Sequence, residues 1–110
     1  MTRRGIAAAL PLLLLASGCG AGEPAARRHT VEISAFRYAP ADLRVAAGDT
    51  VVFVNRDAVP HTATAADGAW DTGSVAAGDS GRVVVAREGR HPYRCLFHPN
   101  MASALTAERR

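Results

Sequence analysis

The chain predicts an all-β sandwich or barrel, on three observations. Short β-branched and apolar runs recur along it, such as Thr50–Asn55 (TVVFVN) and Gly81–Ala86 (GRVVVA). Turn signals separate them: Ala47-Gly48-Asp49, Asp67-Gly68, Asp71-Thr72-Gly73, Ala77-Gly78-Asp79 and Glu88-Gly89. Beyond the leader, no segment with helical period exceeds two turns. Short strands at close spacing between turn residues are the pattern of an all-β domain.

In chain order, Thr30 to Phe36 alternates, with Val31, Ile33 and Ala35 on one face, and reads as a strand. Pro40 breaks that pattern and Leu43–Val45 resumes it briefly. Thr50–Asn55 is β-branched and apolar and predicts a central, buried strand. Arg56 to Pro60 is a loop, with a short strand over His61–Ala65. Trp70 lies between two turns and reads as core or rim packing. Gly81–Ala86 is a further strand, and His91–Cys95 runs into the last loop, with Pro92 better suited to an edge or a bulge than to a central ladder. Leu105 marks a final strand. Asp67, Asp71 and Asp79 read as turn residues.

The first residues are set aside from the fold. Arg3 and Arg4, an apolar run over Gly5–Ala16 and small residues before Cys19 form a secretory signal. The run is shorter than the roughly 20 residues a membrane-spanning helix needs. Leu15-Ala16-Ser17-Gly18-Cys19 resembles a bacterial lipobox, which implies cleavage before Cys19 and lipidation of it. The expected organisation is a signal over 1–18, a flexible Gly/Ala/Pro tether over 19–28 and one domain over 29–110. The location implied is extracytoplasmic, anchored to the bacterial cell membrane as a lipoprotein.

The whole chain of 110 residues carries a net charge of +3. Without Arg3 and Arg4 it holds 11 basic against 10 acidic side chains. No basic patch with interleaved aromatics appears, so nucleic acid is not an expected partner. Of the two cysteines, Cys19 is assigned to lipid. Cys95 is then a lone thiol in an exported domain, and a metal would account for it.

The segment Cys95-Leu96-Phe97-His98-Pro99-Asn100-Met101 places thiolate, imidazole and thioether within seven residues. With the distant His61 it supplies two nitrogens, one thiolate and one weak thioether. Soft sulfur together with imidazole favours copper, and His2Cys with an axial Met is the blue-copper set. Zinc also accepts Cys and His, but this spacing is not that of a zinc finger and the Met would be idle. His29 and His91 are not expected to be ligands: His29 lies at the tether, and His91 fills an aromatic slot or faces solvent.

Two segments also resemble one family. Val52-Phe53-Val54-Asn55-Arg56-Asp57-Ala58-Val59-Pro60-His61 is similar to the first-ligand region of the amicyanin-like cupredoxins. Gly89 to Cys95 with the loop to Met101 is similar to their second region, including the two-residue gap between His98 and Met101. The resemblance covers most of residues 31–101 and implies a Greek-key β-sandwich of the cupredoxin type. It implies one type I copper ion held by His61, Cys95, His98 and Met101. It makes Asn55 the outer residue whose backbone N–H points at the Cys95 sulfur and whose side chain pins the ligand loop, with Pro99 a second supporting residue. It gives His98 the electron port, inside an apolar docking patch of Val59, Pro60, Leu96 and Phe97. The chain departs from the family at Leu96, at His91 and over 102–110, where a weaker closing strand is expected.

The function implied is a single-electron shuttle, not an enzyme, since four protein ligands leave no position for a substrate. Its partners would be redox proteins: an exported dehydrogenase, a cytochrome or an oxidase. The chain would act as a monomer. The alternative is a copper-binding or delivery protein of the cell envelope; the Met- or His-rich tracts often seen in such carriers are missing from this sequence.

Overall fold

The computed structural model describes Thr2, Gly5, residues 7–11 and residues 25–110. The expected cleavage and lipidation site at Cys19 lies outside the described residues. Among the described residues there are eight strands and no helix. They are β1 (Arg28–Ser34), β2 (Arg37–Ala39), β3 (Leu43–Ala46), β4 (Asp49–Asn55), β5 (Thr64–Ala65), β6 (Ser80–Val85), β7 (Gly89–Arg94) and β8 (Ala102–Glu108). One sheet has the order β2-β1-β4-β6 and the other β3-β8-β7-β5. The chain passes repeatedly between the sheets, so two of the pairings, β1 with β4 and β3 with β8, are parallel.

Period-2 alternation explains which residues meet between the sheets. On β4 the buried row is Asp49, Val51, Phe53 and Asn55. On β7 it is His91 and Tyr93, and the next residue in step is Cys95, buried just beyond the strand end. Phe53, Tyr38, Tyr93 and Trp70 form one aromatic core; Tyr38 and Tyr93 meet edge to face at 4.7 Å and Phe53 stacks on Trp70 at 6.1 Å. Burial pushes both tyrosine hydroxyls up, that of Tyr93 to about 12, so they stay neutral. The Tyr38 hydroxyl donates to the carbonyl of Thr62, next to His61.

Four details differ from the sequence reading. The first strand stops at Ser34, because Ala35 and Phe36 take left-handed φ values of 51° and 59°. They form a two-residue hairpin turn into β2, a strand too short for periodicity to reveal. The expected strand over His61–Ala65 is a two-residue β5 preceded by an isolated bridge from His61 to Val75. The last strand is not weak: β8 runs seven residues and pairs with β3 on one side and β7 on the other. Its Ala-rich sequence has little strand propensity, and two flanking ladders override that.

Pro92 sits inside β7, paired with Ala104 of β8. Its carbonyl accepts from Ala66, just past the end of the short β5. The missing N–H therefore points to the side where the ladder has run out. His91 takes the buried alternative of its two readings, with its Nε2 2.8 Å from the Arg87 carbonyl and its ring beside Trp70. Trp70 is in the core.

Candidate metal centre

β4 and β7 both end at one pole of the sandwich, and the loops leaving those two strand ends build the candidate site there. Asn55 closes β4 and is fully buried. Its side-chain Nδ2 donates to the carbonyls of Val59 at 2.8 Å and Val75 at 3.0 Å, and its Oδ1 accepts from the Asp57 amide. The loop to His61 is thereby folded back over the strand end. Backbone bonds in both directions between His61 and Val75 fix the loop from its other side. Gly81 permits this approach, since a Cβ there would lie 2.8 Å from the Val75 side chain.

His61 is fully buried. Its Nδ1 lies 3.8 Å from the Cys95 sulfur, and its Nε2 lies 2.9 Å from the Asp57 carboxylate. An acceptor at Nε2 keeps the ring proton there and leaves the Nδ1 lone pair facing the thiol. Bonds of about 2.05 Å to nitrogen and about 2.3 Å to sulfur, at a trigonal angle, separate the two donors by roughly 3.8 Å. The Cys95–His61 pair matches that spacing. His98 is half-buried, and its ring centroid is 5.1 Å from that of His61. Two imidazoles sharing a metal through nitrogens at about 2 Å put their centroids roughly 5–5.5 Å apart.

Cys95 and Met101 are buried, and a tight turn joins them. The Met101 amide donates to the His98 carbonyl and the Cys95 amide to the Met101 carbonyl. Pro99 is exposed within this turn. No three His, Cys, Asp or Glu side chains among the described residues are already closed into a cage. The closed part is the Cys95–His61 pair; the His98 ring lies beside His61, and Met101 is buried at the end of the same turn.

One expected contact is replaced. The Asn55 amide donates to the Asp79 carbonyl, not to sulfur. The N–H on the Cys95 sulfur belongs to Thr62, at 3.3 Å, and the Thr62 hydroxyl accepts from the Leu96 amide at 2.9 Å. Asn55 lies six positions before His61, and its amide is used at the end of the ladder. Thr62 directly follows His61, and its amide turns inward with that residue. Its place directly after the candidate ligand was the available signal. Asn55 does pin the loop.

Two further residues escaped the sequence reading. The ring of Phe36 stands edge-on to His61 at 5.2 Å and to His98 at 4.9 Å. Asp57 accepts from the amides of Ala35 and Phe36 at 2.7 and 2.9 Å as well as from His61. The Phe36 N–H above all, and then His61 and the Ala35 N–H, hold its carboxyl below the ordinary carboxylate range. Around this pole Val59, Pro60, Leu96 and Phe97 are exposed, with half the Phe36 surface also open.

A β-sandwich whose strand ends bring a buried thiol against an imidazole lone pair, with a second imidazole beside it and a buried methionine closing the same turn, is a protein equipped for a soft redox metal. The chain belongs to the family of the Cupredoxin-like domain, which it matches over residues 6–107. A comparison with curated proteins gives no match. Among solved structures, an oxidised variant of amicyanin is 25% identical, with 73% of this chain and 81% of that chain covered and a TM-score of 0.67. A second oxidised amicyanin variant is 26% identical, with 74% and 82% covered and a TM-score of 0.68. A purple cupredoxin from Nitrosopumilus maritimus is 26% identical, with 73% and 99% covered and a TM-score of 0.65. Membership of this family implies one copper ion and an electron-transfer role in general.

Proposed function

We propose that the protein is an extracytoplasmic blue-copper electron carrier, in which His61, Cys95 and His98 would hold one copper strongly and Met101 would be its weak fourth ligand. The observation that carries this is the 3.8 Å separation of the Cys95 sulfur from the His61 Nδ1, with the other nitrogen of that ring engaged by Asp57. Bound copper supplies one electron's worth of Cu(II)/Cu(I) cycling.

The chain's own residues do the rest. The Asn55 and Val75 bonds hold the His61 loop, so the buried donors do not relax when the metal changes charge. The Thr62 N–H on the sulfur stabilises its thiolate charge and helps tune the couple. His98 is partly open and its neighbour Phe36 half exposed, as are Leu96 and Phe97 at this pole, which makes this rim the electron port and docking surface. Partners are redox proteins with an apolar face of their own, of the dehydrogenase, cytochrome or oxidase kind. A lipid on Cys19 and the tether after it would keep the carrier at the membrane.

Electron exchange and copper transfer are separated by one experiment. The Cu(I) protein is mixed with its own Cu(II) form and, separately, with a Cu(I) chelator. An electron carrier exchanges electrons rapidly with itself and surrenders copper slowly. Fast loss of copper with slow self-exchange would replace this reading with copper delivery. Mass spectrometry of the membrane-extracted protein tests the anchor: an acylated N-terminal Cys19 is expected, and a free or absent Cys19 contradicts it.

A further inference from the structure

The turn between β1 and β2 breaks a local rule. Two-residue hairpin turns with left-handed φ at both positions are the province of Asn and Gly. Here the two positions are Ala35 and Phe36. A left-handed conformation costs about 1–2 kcal/mol for an ordinary L-residue. Something must hold the turn, and both its amides donate to one carboxylate, that of Asp57. The same carboxylate takes the Nε2 proton of His61. The ring carried by the turn lies on His61 and on His98. The first-ligand loop and the hairpin tip, on two different strand connections, therefore share one anionic joint.

We propose that Asp57 is a positioning residue for the metal centre: its carboxylate fixes the His61 ring through Nε2–H, places negative charge behind that ligand, and locks the Phe36 tip against both imidazoles. The proposal rests on the reading of His61 as a ligand. A carboxylate behind an imidazole raises its basicity and favours the more highly charged metal. Asp57 thus lowers the reduction potential, while its amide bonds set the aromatic rim through which a partner would approach. Both effects converge on a residue that is neither a ligand nor part of the sulfur's surroundings.

The test uses Asp57→Asn alone and combined with Ala35→Gly. Asn keeps the size and loses the charge; Gly removes the need for the turn to be held, because it adopts left-handed φ without strain. In the copper-loaded Asp57→Asn protein the Cu(II)/Cu(I) ratio at fixed ambient potential should fall on the order of tenfold, a rise of about 59 mV for a one-electron couple. Melting temperature should drop in Asp57→Asn and recover in the double variant, whereas the potential should stay raised in both. A potential that does not move, or that returns with Ala35→Gly, would show that Asp57 only braces the turn and would overturn the proposal.

A second arm needs no metal. In the metal-free protein the His61 Nε2 proton should give a slowly exchanging signal that disappears in Asp57→Ala, which leaves no acceptor at that position. Its absence from the unaltered protein would remove the joint itself. If copper fails to bind while this signal is present, the ligand reading fails and the joint stands. Should Asp57→Asn not fold, the double variant carries the potential measurement.

Discussion

The two ends of the sandwich use the same chemical pair for different ends. Asp49 and Asn55 are the first and last residues of β4, both on its buried row. Near each a histidine meets a carboxylate: His29 with Asp49 at 2.8 Å, and His61 with Asp57 at 2.9 Å. At the first pole Asp49 is buried and also accepts from the Arg27 and Ala46 amides and from the Arg110 side chain. Every partner there is a donor, and the cluster ties the start of β1 and the end of the chain to the β3–β4 turn. At the second pole the histidine is the buried member, and its other nitrogen faces a thiol. A carboxylate–imidazole pair is thus a structural clamp when charge balance closes it, and part of a site when the far nitrogen keeps a lone pair beside a second soft donor.

That contrast can be broken at its strongest point. Cys95→Ser removes the soft donor and turns the second pole into another clamp. All intense visible absorption of the copper-loaded protein should vanish, and the fold should survive in the metal-free state; a spectrum that persists would place the metal elsewhere. Next in size is Asp49→Ala. Removing the shared acceptor of a buried charge pair costs about 3 kcal/mol, or a melting temperature lower by roughly 12–24 °C for a domain of this size. The copper spectrum should not change, and a shifted spectrum would mean that the two poles are coupled.

A titration sharpens the contrast at the other carboxylate. The hydrogen bonds from Phe36, His61 and Ala35 depress the folded-state pKa of Asp57 below its ordinary 3.8. A depressed carboxyl stabilises the fold fully above its unfolded pKa and loses that contribution as pH falls through the folded one. The stability gap between the metal-free protein and its Asp57→Asn variant should therefore be flat from neutral pH to about 5. It should close as pH falls below 3.8, as followed by urea unfolding; a gap that widens in acid has the wrong sign. The smallest effect belongs to the exposed pair Arg44–Glu108 near the first pole. Arg44→Ala should cost less than about 0.5 kcal/mol, and a larger loss by thermal melting would make this pair part of the Asp49 clamp.

Much of the site was legible because its chemistry is written in residue type and spacing. Cys95, His98 and Met101 lie within seven residues, and their segment directly follows a period-2 row. His61 needed the second matching segment. What stayed hidden depends on left-handed backbone and on contacts between distant loops. Ala35 and Phe36 carry no turn signal of their own; the acceptor that permits their turn is 21 to 22 positions away. Asp57 looked like one more loop acid. The resemblance put the N–H on sulfur at Asn55, whereas the one that reaches it belongs to Thr62, because that contact depends on chain direction and not on side-chain type. The closing strand β8 was underrated because residues 102–110 depart from the family's pattern, whereas its ladders to β3 and β7 hold it in place.

The most direct test of the account is the visible and electron paramagnetic resonance spectrum of the protein loaded with one equivalent of Cu(II). The account predicts an intense blue band that bleaches on reduction and returns on oxidation, with the narrow copper hyperfine splitting of a thiolate-bound type I site. A colourless protein with the wide splitting of ordinary tetragonal Cu(II) would contradict it, since Cys95, His61, His98 and Met101 would then not meet at one metal.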